Sequence, residues 1–412
     1  MNNCIKKYLL LFCLLVTNFL FARQISIAQQ LIKRPESNFP TGRVEKPSSA
    51  ELEQGIELAT RYLESSSGPD GKFVYRVNTA IGLESNSYNI IRHAGTMYAL
   101  GMLYDSHPDP AIAGILVRSA GFLSQNYIGP GDHPGQLVVW SKPNTLHSYA
   151  DLGATGLGLV AISEVNRIKP KTIPLEDLEE LGRFALSLQK PDGSFYSKYR
   201  PESGPVLDWE SLYYPGEAAL GFIALYEQDH SSEWLIAASK ALSYLAKSRA
   251  GLPTVPADHW ALIATAKLLP YCKHAACQIS EEELVQHAIQ ICNSILAEQM
   301  NLPGQGLDGS FDPTGRTTPT ATRMEGLLAA LEFLPKDNTE LRAKIQAAAT
   351  RGVAFLLRAQ IRTGPYAGGM PGAYVANARG ASDIRIDYVQ HSLSAWLRYE
   401  RFIEANEMQQ KQ

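Results

Sequence analysis

The sequence predicts an all-α chain of six helical hairpins, about twelve helices, closed into a ring, and three observations point there. Apolar stretches with helical spacing recur through the 412 residues, nearly all ten to twenty residues long and parted by Gly- and Pro-rich loops. One turn phrase returns almost unchanged, as Asp70-Gly71-Lys72-Phe73, Asp192-Gly193-Ser194-Phe195 and Asp308-Gly309-Ser310-Phe311. With Asp132, Gly251 and Gly364 at corresponding places, the steps from Asp70 to Gly364 are 62, 60, 59, 57 and 56 residues. Alternate helices also differ in kind. One set is small and apolar around its whole circumference, as in Leu152-Gly153-Ala154-Thr155-Gly156-Leu157-Gly158, Glu217-Ala218-Ala219-Leu220-Gly221 and Gly326-Leu327-Leu328-Ala329-Ala330. The other set carries charge on one face, as in Glu176-Asp177-Leu178-Glu179-Glu180. An inner layer packed on every side and a half-solvated outer layer explain the difference. No helix pair covers both its apolar flanks alone, so the repeats need one another.

The elements follow in order. Lys6 and Lys7 precede an apolar run from Tyr8 to Phe21, broken only by Thr17 and Asn18 and too short to span a bilayer comfortably. Ser26-Ile27-Ala28 then offers small residues for a signal peptidase, so residues 1–28 read as an export signal cleaved near Ala22 or Ala28, a retained anchor being the alternative. Cleavage at 28 removes Lys6, Lys7 and Arg23 and no acid, which takes the net charge from −3 to −6. An extended segment is expected over 29–49, the ring over 50–405 and a polar tail over 406–412. Helices are expected at 51–64, 90–105, 110–126, 150–166, 174–189, 215–228, 231–247, 257–271, 280–299, 319–335, 340–360 and 384–404.

Composition narrows the function. With 45% hydrophobic and 19% charged residues the chain is neither disordered nor polytopic. Its 38 basic and 41 acidic residues are spread along the sequence, which leaves no electrostatic footprint for nucleic acid. Export implies a periplasmic or secreted protein with no membrane span after cleavage. In such a compartment Cys272, Cys277 and Cys292 are read as one local disulfide or as buried thiols. The run from Tyr271 to Cys277 lacks the second ligand pair of a zinc site, and neither a metal nor a cofactor is expected.

The segment Arg351-Gly352-x-x-Phe355-Leu356-x-x-x-Gln360-x-x-x-Gly364-x-Tyr366 resembles the Gln-Trp motif of alpha-alpha toroids, with Tyr in place of Trp. Gly182-Arg183 through Gln189 to Asp192-Gly193-Ser194-Phe195 is a looser copy. Over residues 50–405 the chain is thereby similar to the six-hairpin (α/α)6 toroid proteins, which include glycoside hydrolases, uronic-acid-processing enzymes, sugar epimerases, terpenoid cyclases and prenyltransferase subunits. The resemblance implies a fold and leaves the chemistry open, because one fold hosts many activities.

In such a ring the Gly-rich turns lead into the inner helices, whose N-terminal ends meet at one mouth. Reading those ends brings together Arg92 and His93; Asp151; Tyr214 and Glu217; Asp258, His259 and Trp260; Arg323 and Glu325; and Arg385, Asp387, Tyr388 and His391, with Trp209 on a loop beside them. Asp151, Glu217, Asp258, Asp387 and His259 are the catalytic candidates. Arg92, His93, Trp209, Tyr214, Trp260, Arg323, Glu325, Tyr388 and His391 are the candidates for holding substrate. Each has a structural reading as well. Acids in a first turn cap helices and suit the dipole, and aromatics at helix starts are often simply packed. Arg92, Arg323 and Arg385 sit where the dipole disfavours cations by roughly 0.3–1 kcal/mol, so acids nearby or an anionic ligand must offset them.

These residues point to an exported enzyme acting on a poly- or oligosaccharide, with a bias toward uronic-acid-containing ones. Hydrolysis needs two carboxyl groups about 5–9.5 Å apart. Elimination or epimerisation needs a His or Tyr base and a cation for the developing charge. A non-catalytic toroid binding a glycan or a protein is the alternative. Terpenoid and prenyl chemistry is disfavoured, since the chain has no Asp-x-Asp-Asp run and an export signal removes it from cytosolic prenyl diphosphates, and without a Gly-x-x-x-x-Gly-Lys phosphate loop nucleotide hydrolysis is unsupported.

Overall fold

The computed structural model describes residues 46–143, 148–272 and 277–410. The expected export signal, and the segment after it up to residue 45, lie outside the described residues. Twelve helices form six hairpins: α1 (Ser49–Ser66) with α2 (Ile90–Ser106), α3 (Pro110–Tyr127) with α4 (Leu152–Ile168), and α5 (Leu175–Ser187) with α6 (Tyr214–Asp229). The second half has α7 (Ser232–Arg249) with α8 (His259–Cys272), α9 (Glu281–Glu298) with α10 (Thr317–Phe333), and α11 (Thr339–Ala359) with α12 (Ile386–Gln410). Local chemistry starts them where the chain turns. Ser48 with Glu51 and Ser280 with Glu283 form capping boxes at α1 and α9, Asn89 and Asp109 cap α2 and α3, and Pro110 opens α3.

The even-numbered helices form the inner ring. Each packs on the next even-numbered helix, and α12 returns to α2. Residues 152 to 163 of α4 are all buried, as an inner helix surrounded by neighbours requires. The nearest approach is between α4 and α6, where a Cβ on Gly156 would stand 2.7 Å from the Glu217 carbonyl and one on Gly221 2.6 Å from the Gly156 carbonyl. The outer helices α3, α5, α7, α9 and α11 each cover the seam between two inner helices, and α1 rests on α12.

The repeated turn phrase has a physical reason. Gly71, Gly193, Gly309 and Gly368 have φ of +84°, +93°, +86° and +88°, and a Cβ on each would lie 1.9–2.3 Å from a main-chain carbonyl of the following outer helix. Gln189, Gln299 and Gln360 donate Nε2 to carbonyls of those same helices, at Ala237, Ala348 and Gly55, each at 2.9 Å. The last of these joins α11 to α1 and closes the outer layer.

Four details differ from the sequence reading. The glycine that meets the next helix in the last repeat is Gly368, not Gly364, whose Cβ position faces open space. Among the described residues the mouth loops hold eight strands of two or three residues, too short to show a period. Helix α12 continues to Gln410, beyond the boundary expected at 405. Because α10 begins at Thr317, Arg323 sits in its second turn rather than its first. Cys272 and Cys277 form a disulfide and Cys292 is a free, buried thiol, which settles the two cysteine readings between them.

Gly368→Ala and Gly364→Ala separate backbone strain from collision. Both place Ala at positive φ, at a cost of about 1–2 kcal/mol, but only Gly368→Ala also collides with the Leu58 carbonyl, adding about 1–3 kcal/mol. Urea unfolding is expected to show the larger loss for Gly368→Ala, and equal losses would remove the carbonyl contact from the account of ring closure.

Candidate active site

The mouth is framed by the short strands. β1 (Arg76–Asn78) pairs with both β2 (Leu83–Glu84) and β8 (Asp383–Arg385), which ties the first mouth loop to the last. The hairpin of β3 (Ile128–Pro130) and β4 (Leu137–Val139) lies in the second loop, and β5 (Ala150–Asp151), β6 (Lys198–Arg200) and β7 (Gly204–Pro205) join the second loop to the third.

Where the ring closes, Asp387 in the first turn of α12 is nearly buried and accepts from two arginines. Arg92 Nε of α2 lies 2.9 Å from its Oδ2 and Arg385 Nη2 2.8 Å. Burial alone would raise the Asp387 carboxyl, but the Arg385 hydrogen bonds and the charges of Arg92 and Arg385 outweigh it and hold it below its ordinary value. Arg92 also donates to the Tyr75 hydroxyl at 2.8 Å, and the Arg385 guanidinium lies 4.5 Å from the Tyr388 ring centre. Neighbouring carboxylates thus offset the cations at these helix starts. Arg323 is held the same way, by Glu298 at 3.1 Å, with its guanidinium 5.3 Å from the Phe311 ring centre.

Three inner helices, α8, α10 and α12, bring three side chains to one point. Glu325 of α10 is fully buried, and its Oε2 lies 2.8 Å from Nδ1 of His391 on α12 and 3.9 Å from Nε2 of His259 at the start of α8. The imidazole centres are 5.8 Å apart at a steep angle. Burial would lower His391, but the charge and hydrogen bond of Glu325 prevail and raise it. Burial holds His259 well below its ordinary value, and the positive charges of His391, Arg323 and Arg398 add to this. One imidazole therefore favours the charged form and the other the neutral form, the separation that acid–base chemistry exploits. Neither ring nitrogen of His259, nor Oε1 of Glu325, has a hydrogen-bond partner among the described residues. Tyr213 meets His259 edge-on at 5.2 Å, and Trp260, buried, lies beside it at 4.9 Å.

Across the mouth, Glu217 at the start of α6 lies against Gly153, with no room between them for a Cβ. Burial first, then the negative charges of Asp258 and Asp151, push its carboxyl up to about 8. Asp151 is also raised by burial, against the Ser141 hydroxyl at 2.8 Å and Lys198 Nζ at 3.7 Å. Lys198 Nζ is in turn 4.6 Å from the ring centres of both Tyr149 and Trp209. Trp209, 41% exposed, stands edge-on to Tyr214 at 5.7 Å and offers the open aromatic face of the mouth.

Two sequence candidates are occupied elsewhere. Asp258 is fully buried, pairs with Arg249 Nη2 at 2.8 Å and caps α8 through the Ala261 amide at 3.1 Å, so its oxygens are committed to the fold. His93 is fully buried, with Nδ1 2.8 Å from the Tyr88 hydroxyl and Nε2 3.0 Å from the Ser119 carbonyl, and it binds α3 rather than a substrate. Lys198 and Tyr75 were missed. They lie on loops and strands, where the helix-start rule that found the others has no purchase.

No known family matches the sequence, and no curated protein is similar enough to match it. Solved structures do match in fold. A D-mannose isomerase is 12% identical, with 88% of this chain and all of that one covered at a TM-score of 0.62. A cellobiose 2-epimerase from Bacillus thermoamylovorans is 13% identical over 85% of this chain and 98% of that one, at 0.62. An unsaturated glucuronyl hydrolase specific for heparin is 14% identical over 87% and 99%, at 0.60. With the closed ring of six hairpins, these likenesses make the chain an (α/α)6 toroid protein.

Proposed function

We propose that the protein is an exported carbohydrate-active enzyme that moves a proton at a sugar carbon, epimerising or isomerising a saccharide or eliminating across a uronate. The observation that carries the reading is the meeting of His259, Glu325 and His391 at the mouth. A carboxylate bound to Nδ1 of His391 fixes the tautomer and leaves Nε2 for substrate, while the second imidazole stands close by with no hydrogen-bond partner among the described residues. Proton removal beside a carbonyl or carboxyl leaves an enediolate, whose oxygen needs a cation. Arg92, on the inner helix next to α12, is placed to supply one. Return of a proton to the opposite face gives an epimer, and return to the neighbouring carbon gives an isomer. Trp209 and Tyr214 suit a sugar ring. Fold likeness to a mannose isomerase, a cellobiose epimerase and a glucuronyl hydrolase supports a carbohydrate substrate. The Cys272–Cys277 disulfide supports export.

Glu217 favours a second reading, hydrolysis. A buried carboxyl pushed to about 8 keeps its proton at neutral pH and can protonate a leaving oxygen, with Asp151 as the second carboxylate.

Mass spectrometry of neutral and uronic-acid oligosaccharides incubated with the protein in D2O separates the readings. Deuterium uptake without cleavage, or an unsaturated fragment, is expected, and both His391→Asn and Glu325→Gln are expected to lower the rate about 10²–10⁴-fold. A gain of one water that depends on Glu217 instead establishes hydrolysis, and binding without any conversion sinks both in favour of a non-catalytic toroid.

The Glu217 carboxyl also has a signature in stability. Its folded value, about 8, lies above its ordinary 4.5, so the contribution of the protonated group is complete below about pH 4.5 and is lost as pH rises through 8. Melting temperatures of the wild type are expected to fall between about pH 4.5 and 8, and those of Glu217→Gln to fall less. Parallel curves would mean that Glu217 titrates normally.

A further inference from the structure

The cluster that serves the proton transfer also has the makings of a metal site, and this second property can be read without any substrate. We infer that His259, Glu325 and His391 bind one divalent transition-metal ion of the zinc type. The three side chains come from successive inner helices, α8, α10 and α12, and each offers a ligand atom within 4.8 Å of the other two. Zinc bonds of about 2.0–2.2 Å at tetrahedral angles set ligand atoms roughly 3.3–3.6 Å apart. The observed 2.8 Å between Glu325 and His391 and 3.9 Å between Glu325 and His259 bracket that spacing. Shifts of about half an ångström would seat an ion.

A second observation points the same way. Both ring nitrogens of His259 and Oε1 of Glu325 are buried with no hydrogen-bond partner among the described residues. Buried polar atoms without partners are rare, and a metal ion on one His259 nitrogen would give that nitrogen a partner. The donor set selects the ion. Two imidazoles and one carboxylate suit zinc, cobalt, nickel or copper, whereas calcium and magnesium take oxygen ligands. Three protein ligands leave a fourth position for water or substrate, and His391, its side chain 13% exposed, is the most accessible of the three.

The surrounding charges divide. Arg323 and Arg398 oppose a cation, but each is paired, with Glu298 and Glu332 respectively, while Asp387 lies on the favourable side near His391. Binding replaces the proton that His391 Nδ1 shares with Glu325, so that proton leaves to solvent as the metal–nitrogen bond forms.

Zn2+ titrated into the intact protein, followed by calorimetry in two buffers and by metal analysis after desalting, tests this directly. One ion per chain is expected, with proton release. Co2+ is expected to show the visible absorption of a four- or five-coordinate ion. His391→Asn and Glu325→Gln are expected to weaken Zn2+ binding about 10–100-fold or more, and His107→Asn, on the exposed rim, to leave it unchanged. Melting curves confirm that each variant is folded, and His391→Asn, at the solvent edge, keeps the test sound should the buried Glu325→Gln fail to fold. No binding at millimolar Zn2+, or binding that His391→Asn and His259→Asn leave unchanged, overturns the site. Binding of this kind in a protein that neither exchanges deuterium into a saccharide nor leaves an unsaturated fragment supports the metal site while sinking the function proposed above. Where both hold, Zn2+ takes the His259 nitrogen and the Glu325 carboxylate that proton transfer needs, and turnover falls with saturation and returns with a chelator.

Discussion

The molecule depends on the contact between the turn after one outer helix and the backbone of the next. A glycine at positive φ lets the turn come within van der Waals range of a carbonyl, and in three repeats a glutamine amide donates to another carbonyl of the same helix. The contact fixes the angle between neighbouring hairpins. Four of the six junctions carry this contact, and ring closure brings groups more than 130 residues apart in sequence, such as His259 and His391, to ring centres 5.8 Å apart. None of these helix starts would hold a site by itself.

Electrostatics then sorts the mouth into parts. At the closure Arg92 and Arg385 share Asp387, so cations that a helix N-terminus disfavours are held by a carboxylate that burial disfavours. On one side, Glu325 raises the His391 imidazole while burial lowers that of His259. Opposite, Glu217 and Asp151 lie in a region where negative charge is poorly compensated, and Glu217 holds its proton instead. Arg92 influences both sides, since its charge acts on Glu217, Asp387 and His391 alike.

The hairpin count, the two layers and most of the mouth were legible because they rest on periodicity and on the first turns of helices. The Asp-Gly-Ser-Phe phrase locates turns by a backbone requirement that only glycine meets cheaply. Helix starts identify Arg92, Glu217, His259 and Asp387, and a second turn adds His391. What was hidden depends on distant partners. Nothing near His93 in sequence announces Ser119, and nothing near Asp258 singles out Arg249 as its counter-ion, so both looked available. The His259–Glu325–His391 cluster was hidden as a metal-ligand set for the same reason: ligand spacing rules work along the chain, and these three meet only across the ring. The turn glycine of the last repeat was misplaced by four residues because the loop after Gln360 is longer than its counterpart after Gln189.

Closure through the pairing of β1 with β8 and through the Gln360 amide on Gly55 also governs how the chain is made. The hairpin synthesised first cannot complete its contacts until the hairpin synthesised last has emerged. Until then the exposed flanks of α1 and α2 are apolar surface waiting for α12. Assembly is therefore held back by the longest sequence separations in the molecule, which slows folding and lengthens the interval in which a nascent chain is open to aggregation or to a chaperone.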